Sequence, residues 1–347
     1  MLLFGKDRVR IYDDEPFPAG PPINDIVGWT FLLVTAISTA ILLELGLKRA
    51  DAGYVFDASG VVRAILVFGF TLSFYPAIKA FTLGQIQLWI NSIFAVALAL
   101  FATGYRSASG ALMGAICLMK PHYGLFVLWG ALNREWRFAA ACVVVAAIGL
   151  ISSIWAYGWV NHVDYLRVLS FMSERGESYY ANQSINGLLN RLASLAAPGQ
   201  YDNVNFDAFR FPPYNSWVYW GTIASSMIIL VTGLFRKSSY VNRALSFSIA
   251  AVSLTIASPI AWEHHYGVLL PAFALVAGML AGDAKKLILL SISYIFVSNF
   301  IPALNLLAET PLNIMQSYTL AGGLVFLLIM HFHLSSPRTP TRLKLTP

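Results

Sequence analysis

Charge is what this sequence has least of: Asp, Glu, Lys and Arg make up 12% of its 347 residues, against about 25% in an ordinary soluble domain. Cysteine is nearly absent. Cys117 and Cys142 each sit inside an apolar run, with no metal-ligand spacing and no reason to pair, so a disulfide scaffold and a zinc cluster are both excluded. Acidic residues are outnumbered by basic ones, 17 to 23. No basic patch carries the interleaved aromatics that stacking on a nucleic-acid strand needs, so the net charge of +6 does not point to nucleic acid. What is present is apolar mass: 57% of residues are hydrophobic and mean hydropathy is +0.65. One or two soluble domains cannot hide that much apolar surface, and coiled coil and disordered chain are excluded as well. The composition is that of an all-α, polytopic integral membrane protein.

Apolar runs approaching the length of about 20 residues that a spanning helix needs occupy 26–47, 64–83, 86–103, 138–159, 217–235, 244–260, 266–281, 287–304 and 318–334. Between 107 and 132 two shorter runs flank Lys120 and Pro121. Proline cannot continue a helical hydrogen-bond ladder, so two short helices are expected to meet there, lining a cavity or the protein interior. Counting this pair as two gives about 11 crossings. Gly110 and Gly114 form a GxxxG that permits close helix packing.

Basic residues occupy alternate connections: Lys48, Arg49 and Arg63; Arg106; Arg134 and Arg137; Arg236 to Arg243; Lys285 and Lys286; and the tail with Arg338, Arg342 and Lys344. The positive-inside rule makes that side, and the C-terminus, cytoplasmic. The organisation expected is an outer N-terminal arm over 1–25, a membrane-embedded unit over 26–334 with a long outer loop at 160–216, and a basic cytoplasmic tail over 335–347. The arm begins with Lys6, Arg8 and Arg10 and has no signal sequence. An arm outside with no helix before it implies one or more further helices upstream of Met1. Within the outer loop, Ile185, Leu188, Leu189 and Leu192 have helical spacing and suit a short helix lying at the interface.

The polar residues that could carry chemistry fall in the outer turns. They are Gln85 after Gly84, Lys120 with Pro121 and His122, Asn182 with Gln183 and Ser184, and Glu263, His264 and His265 in the turn 258–265. Ionisable groups at a membrane edge are functional hypotheses by default. Plainer readings stand beside each. Lys120 is also a snorkelling lysine, Gln85 a helix-start residue, and the histidines an ordinary interfacial pair. Adjacent histidines cannot easily share a metal and no third ligand is in view, so no metal or cofactor is expected. Glu44 is the one conspicuous acid inside a span.

The ordered set of Gly84–Gln85, Lys120–Pro121, the basic turn Arg134–Glu135–Trp136–Arg137, Asn182 through Arg191, and Ser258 through His265 resembles glycosyltransferase family 87. The resemblance covers roughly 75–271. It implies a GT-C fold and transfer of a sugar, often mannose, from a polyprenyl-phosphate carrier to a lipid or glycan acceptor outside the cytoplasm. It further implies that Lys120 neutralises the leaving phosphate and that His264 or His265 donates to it or orders the acceptor. Gln85, Asn182, Gln183 and Arg191 would hold phosphate or sugar hydroxyls. Relatives carry a base aspartate in an outer loop ahead of a proline-rich stretch. Here that stretch is 16–22, which places the corresponding helix and aspartate before Met1. Asp13, Asp14 and Asp25 are weak substitutes, and Glu263 is the best carboxylate within a matched motif. A transporter or flippase of lipid-linked sugars, and an N-terminally truncated inactive transferase, are the alternative readings. Polar groups gathered on one side favour an enzyme over transport.

Overall fold

The computed structural model describes residues 23–51, 54, 57–197, 199–204, 211–235 and 243–335. Asp13 and Asp14, most of the N-terminal arm, Arg236, Lys237 and the basic tail lie outside them. The described residues form fourteen α-helices and no strand.

Helix α1 (Ile23–Ala50) carries Asp25 in its first turn and Lys48 and Arg49 in its last, each sign at the favourable end of the helix dipole. Sequence hydropathy reads 64–83 as one span. It is instead α2 (Ala58–Ser73) and α3 (Tyr75–Thr82), bent by 55° at Phe74. Pro76 in the first turn of α3 lacks the N–H that a continuous ladder would need. Gly84 then takes a left-handed φ of +59°, a conformation that favours glycine, and turns the chain into α4 (Gln87–Thr103).

Helices α5 (Arg106–Met119) and α6 (Leu125–Leu132) are separated at the Lys120–Pro121 break, joined by a 3-10 turn at Pro121–Gly124. Lys120 is extended, as a residue before proline prefers. A Cβ on Gly110 would lie 2.1 Å from the Phe138 carbonyl oxygen, and one on Gly114 2.6 Å from that of Cys142. The GxxxG therefore seats α5 backbone to backbone on α7 (Trp136–Tyr157).

The loop 160–216 holds two helices. The sequence reading missed α8 (Trp159–Arg175), because its apolar residues form no single stripe and none of them is buried. The other, α9 (Ile185–Ser194), is present, but its orientation differs from the interfacial one expected. Its buried residues are Asn186, Gly187, Asn190, Arg191, Ala193 and Ser194, while Leu192 is exposed.

Next come α10 (Ser216–Leu234), α11 (Arg243–Ala257), α12 (Leu269–Met279), α13 (Ala284–Ser298) and α14 (Tyr318–Ser335). Helix α11 is buried from Ala244 to Ala257 and forms the centre. There Phe247 lies 4.7 Å from Phe126 and 5.0 Å from Phe101, centroid to centroid. At the basic ends of the helices Glu135 pairs with Arg243 at 2.5 Å and Arg106 at 3.3 Å, tying α5, α7 and α11 together.

Four helices are long and apolar enough to cross a membrane, five with the bent α2–α3 pair; shorter apolar helices include α4, α5 and α11. The expected count of about 11 crossings goes beyond this. Hydropathy counts apolar residues wherever they face. In α4, α11 and α12 most of them face other helices. The outward apolar surface is carried by helices such as α7, where Trp155 and Ile151 are exposed.

Candidate functional site

Two sequence motifs meet first. Asn182 forms an antiparallel bridge with Trp262, and the Gln183 N–H donates to the Ala261 carbonyl at 2.8 Å. The Asn182 amide donates to the carbonyls of Glu177 and Pro259, and its oxygen accepts from the Ala261 N–H at 3.0 Å. Ser184 Oγ donates to the Pro259 carbonyl, and the Tyr266 hydroxyl to that of Gln183. The Asn-Gln-Ser motif thus clasps the turn that presents Glu263, His264 and His265.

Three residues expected to touch substrate serve this clasp. Gln183 donates to the carbonyls of Tyr180 and Gln316 and accepts from the Leu320 N–H. Arg191 is fully buried. Its guanidinium donates to the carbonyls of Ser178, Tyr179 and Asn182 and to Ser317 Oγ at 2.7 Å. With Asn182, these side chains are spent on backbone groups of the loop and of the start of α14.

Glu263 is 2% exposed. Its carboxylate accepts from the Tyr75 hydroxyl at 3.1 Å and the Tyr318 hydroxyl at 3.3 Å. Burial in this turn raises its pKa to about 7, against the pull of those hydrogen bonds and of Lys79. A second buried carboxylate lies nearby. Glu177 accepts from the Trp262 indole at 2.5 Å, and burial raises it to about 7 as well. Both carboxylates act electrostatically on Tyr179.

The charge of Lys120 acts on His122, His264 and His265, and that of Lys79 on both His264 and Glu263. The His264 and His265 rings lie 4.6 Å apart, and His264 meets the Trp262 ring edge-on at 5.6 Å. Burial, then the nearby lysines, pushes the His264 pKa down to about 3, so the ring is neutral. Among the described residues no carboxylate pairs with the Lys120 ammonium. Gln85 is half-buried at the start of α4, its side chain without a hydrogen bond among the described residues. Two residues on, Gln87 donates to Asn91 at 2.8 Å, and Gln87 Oε1 and Asn91 Nδ2 are buried without partners among the described residues. Asn91 also fills the space a side chain at Gly267 would need.

Lys120 therefore acts on His264 and His265, and Lys79 on His264 and Glu263, while Asn182, Gln183 and Arg191 support the turn that carries them. Sequence reasoning missed Tyr75, Lys79, Glu177 and Tyr318 as members. Glu177, five residues before Asn182, and Lys79, five before Gly84, each had a motif nearby to flag it. Among the described residues no group of three His, Cys, Asp or Glu side chains could hold a metal.

Residues 16–281 match glycosyltransferase family 87, and the chain belongs to that family: it is a glycosyltransferase of the membrane. No curated protein and no solved structure matches it.

Proposed function

We propose that this enzyme moves a hexosyl group, mannosyl in the first instance, from a polyprenyl-phosphate sugar to a lipid or glycan acceptor at the outer face of the cell membrane, with a GT-C fold and a cytoplasmic C-terminus. The observation that carries this reading is a buried lysine with no carboxylate partner among the described residues, Lys120, whose charge acts on three imidazoles and whose pKa burial brings down to about 7. An amine that burial holds between its neutral and charged forms is held in the charged form when an anionic group arrives from the lipid phase.

In this reading the acceptor hydroxyl attacks the anomeric carbon and gives its proton to Glu263. The bond from that carbon to the phosphate oxygen breaks, and the phosphate leaves with the electron pair. Lys120 takes up its developing charge, with His264 and His265 donating to its oxygens. Gln85 holds sugar or phosphate. Asn182, Gln183 and Arg191 position the turn rather than touch substrate.

The test is transfer from radiolabelled polyprenyl-phosphate mannose in membranes. Lys120→Ala and His265→Ala are each expected to lower transfer by about 10²-fold or more with expression and insertion unchanged. Full activity in both variants would overturn the site.

A further inference from the structure

A second constellation lies far from these turns. Near its start α1 packs at Gly28 against Phe81 and Leu88, beside the Gly84 turn. Glu44 is 16 residues further along the same helix, about 24 Å at 1.5 Å per residue. There a cavity of about 530 Å³ opens between α1 and α2. Small side chains make it: Ala36 and Ala40 on α1 and Ala64 on α2 leave a slot, walled by Ile41 and Phe68.

The mouth of the slot is polar. Arg63 grips Glu44 with two hydrogen bonds, Nε at 2.7 Å and Nη2 at 3.1 Å. Tyr54 also hydrogen-bonds Glu44, and the Arg63 guanidinium lies over its ring. Bidentate pairing of this kind satisfies both charges, so the acid inside the span is neutralised. Lys48, one turn beyond Glu44, also lines the cavity, is exposed, and has no ion pair among the described residues. Net positive charge therefore sits at the mouth of an otherwise apolar slot.

We propose that this cavity binds an anionic glycerophospholipid, its phosphate at the Lys48 ammonium and one acyl chain between α1 and α2. The slot has a chain's apolar character and its mouth has one uncompensated cation, which a zwitterionic headgroup meets less favourably than an anionic one. Basic pockets between membrane helices hold anionic headgroups for this reason. The site is separate from the transfer site and does not depend on the reaction proposed there.

The experiment is native mass spectrometry of the detergent-purified protein titrated with phosphatidylglycerol or phosphatidylcholine of identical chains. The wild-type protein should retain one phosphatidylglycerol in preference to phosphatidylcholine. Lys48→Gln, an exposed change that leaves packing alone, should reduce that preference about fivefold. Ala40→Phe, which fills the slot, should remove retention of either lipid. Equal retention of the two lipids by the wild-type protein, or an unchanged preference in Lys48→Gln, would overturn the proposal. Sugar transfer plays no part in the readout, so failure here and failure of the proposed reaction are distinguishable.

Discussion

Glu263 sits between two tyrosine hydroxyls in a turn that excludes water, and its proton affinity follows from that place. With a pKa near 7, the carboxyl holds its own proton below that pH and cannot accept another. Transfer limited by Glu263 as base should rise about tenfold per pH unit below 7 and level off above it. Glu263→Gln should erase that limb and lower kcat/KM by about 10²- to 10⁴-fold; pH profiles of transfer in membranes check both. A limb that survives the substitution would assign the proton to another group, Glu177 first. The residues of this site were unequally legible. Lys120, Glu263 and the histidines stand in short motifs, and the sequence singles them out. Tyr75 reaches Glu263 across 188 positions, and no local pattern announces such a meeting. Asn182, Gln183 and Arg191 were visible as polar residues, but polarity does not say whether an amide faces substrate or a backbone carbonyl.

Helix α5 shows how one element's contacts select its small residues. A side chain at Gly110 meets the Phe138 carbonyl at 2.1 Å, whereas one at Gly69 in α2 meets nothing within 4 Å. Gly110→Leu should therefore destabilise the protein by about 1–3 kcal/mol or more, as overpacking does. Gly69→Ala should be neutral, or stabilising by up to about 1 kcal/mol through helix propensity. Melting temperatures in detergent compare the two, and equal effects would contradict backbone-to-backbone seating of α5 on α7. Helix α9 makes a related point. Its spacing predicts a helix, but the residues it buries most deeply are mainly polar ones, because Arg191 donates to the loop carbonyls and to Ser317, just before α14.

At the scale of the whole molecule, the proposed orientation puts the basic connections in the cytoplasm and the candidate site on the other side. On a background lacking Cys117 and Cys142, a cysteine at Asp164 in α8 should react with an impermeant maleimide on intact cells, and one at Lys285 should react only after permeabilisation. Both positions are exposed. The opposite pattern would reverse the orientation. The helical membrane class, the break at Lys120 and Pro121, and the order of the motifs were determined by the sequence alone. Hydropathy, the missing proline N–H and residue order are local properties that survive without a fold. How many helices are long enough to span, that Glu263 lies between Tyr75 and Tyr318, and that Arg191 braces a loop were decided only by the tertiary structure. Each depends on which surfaces meet across many tens of residues, and burial rather than composition then sets what a side chain does.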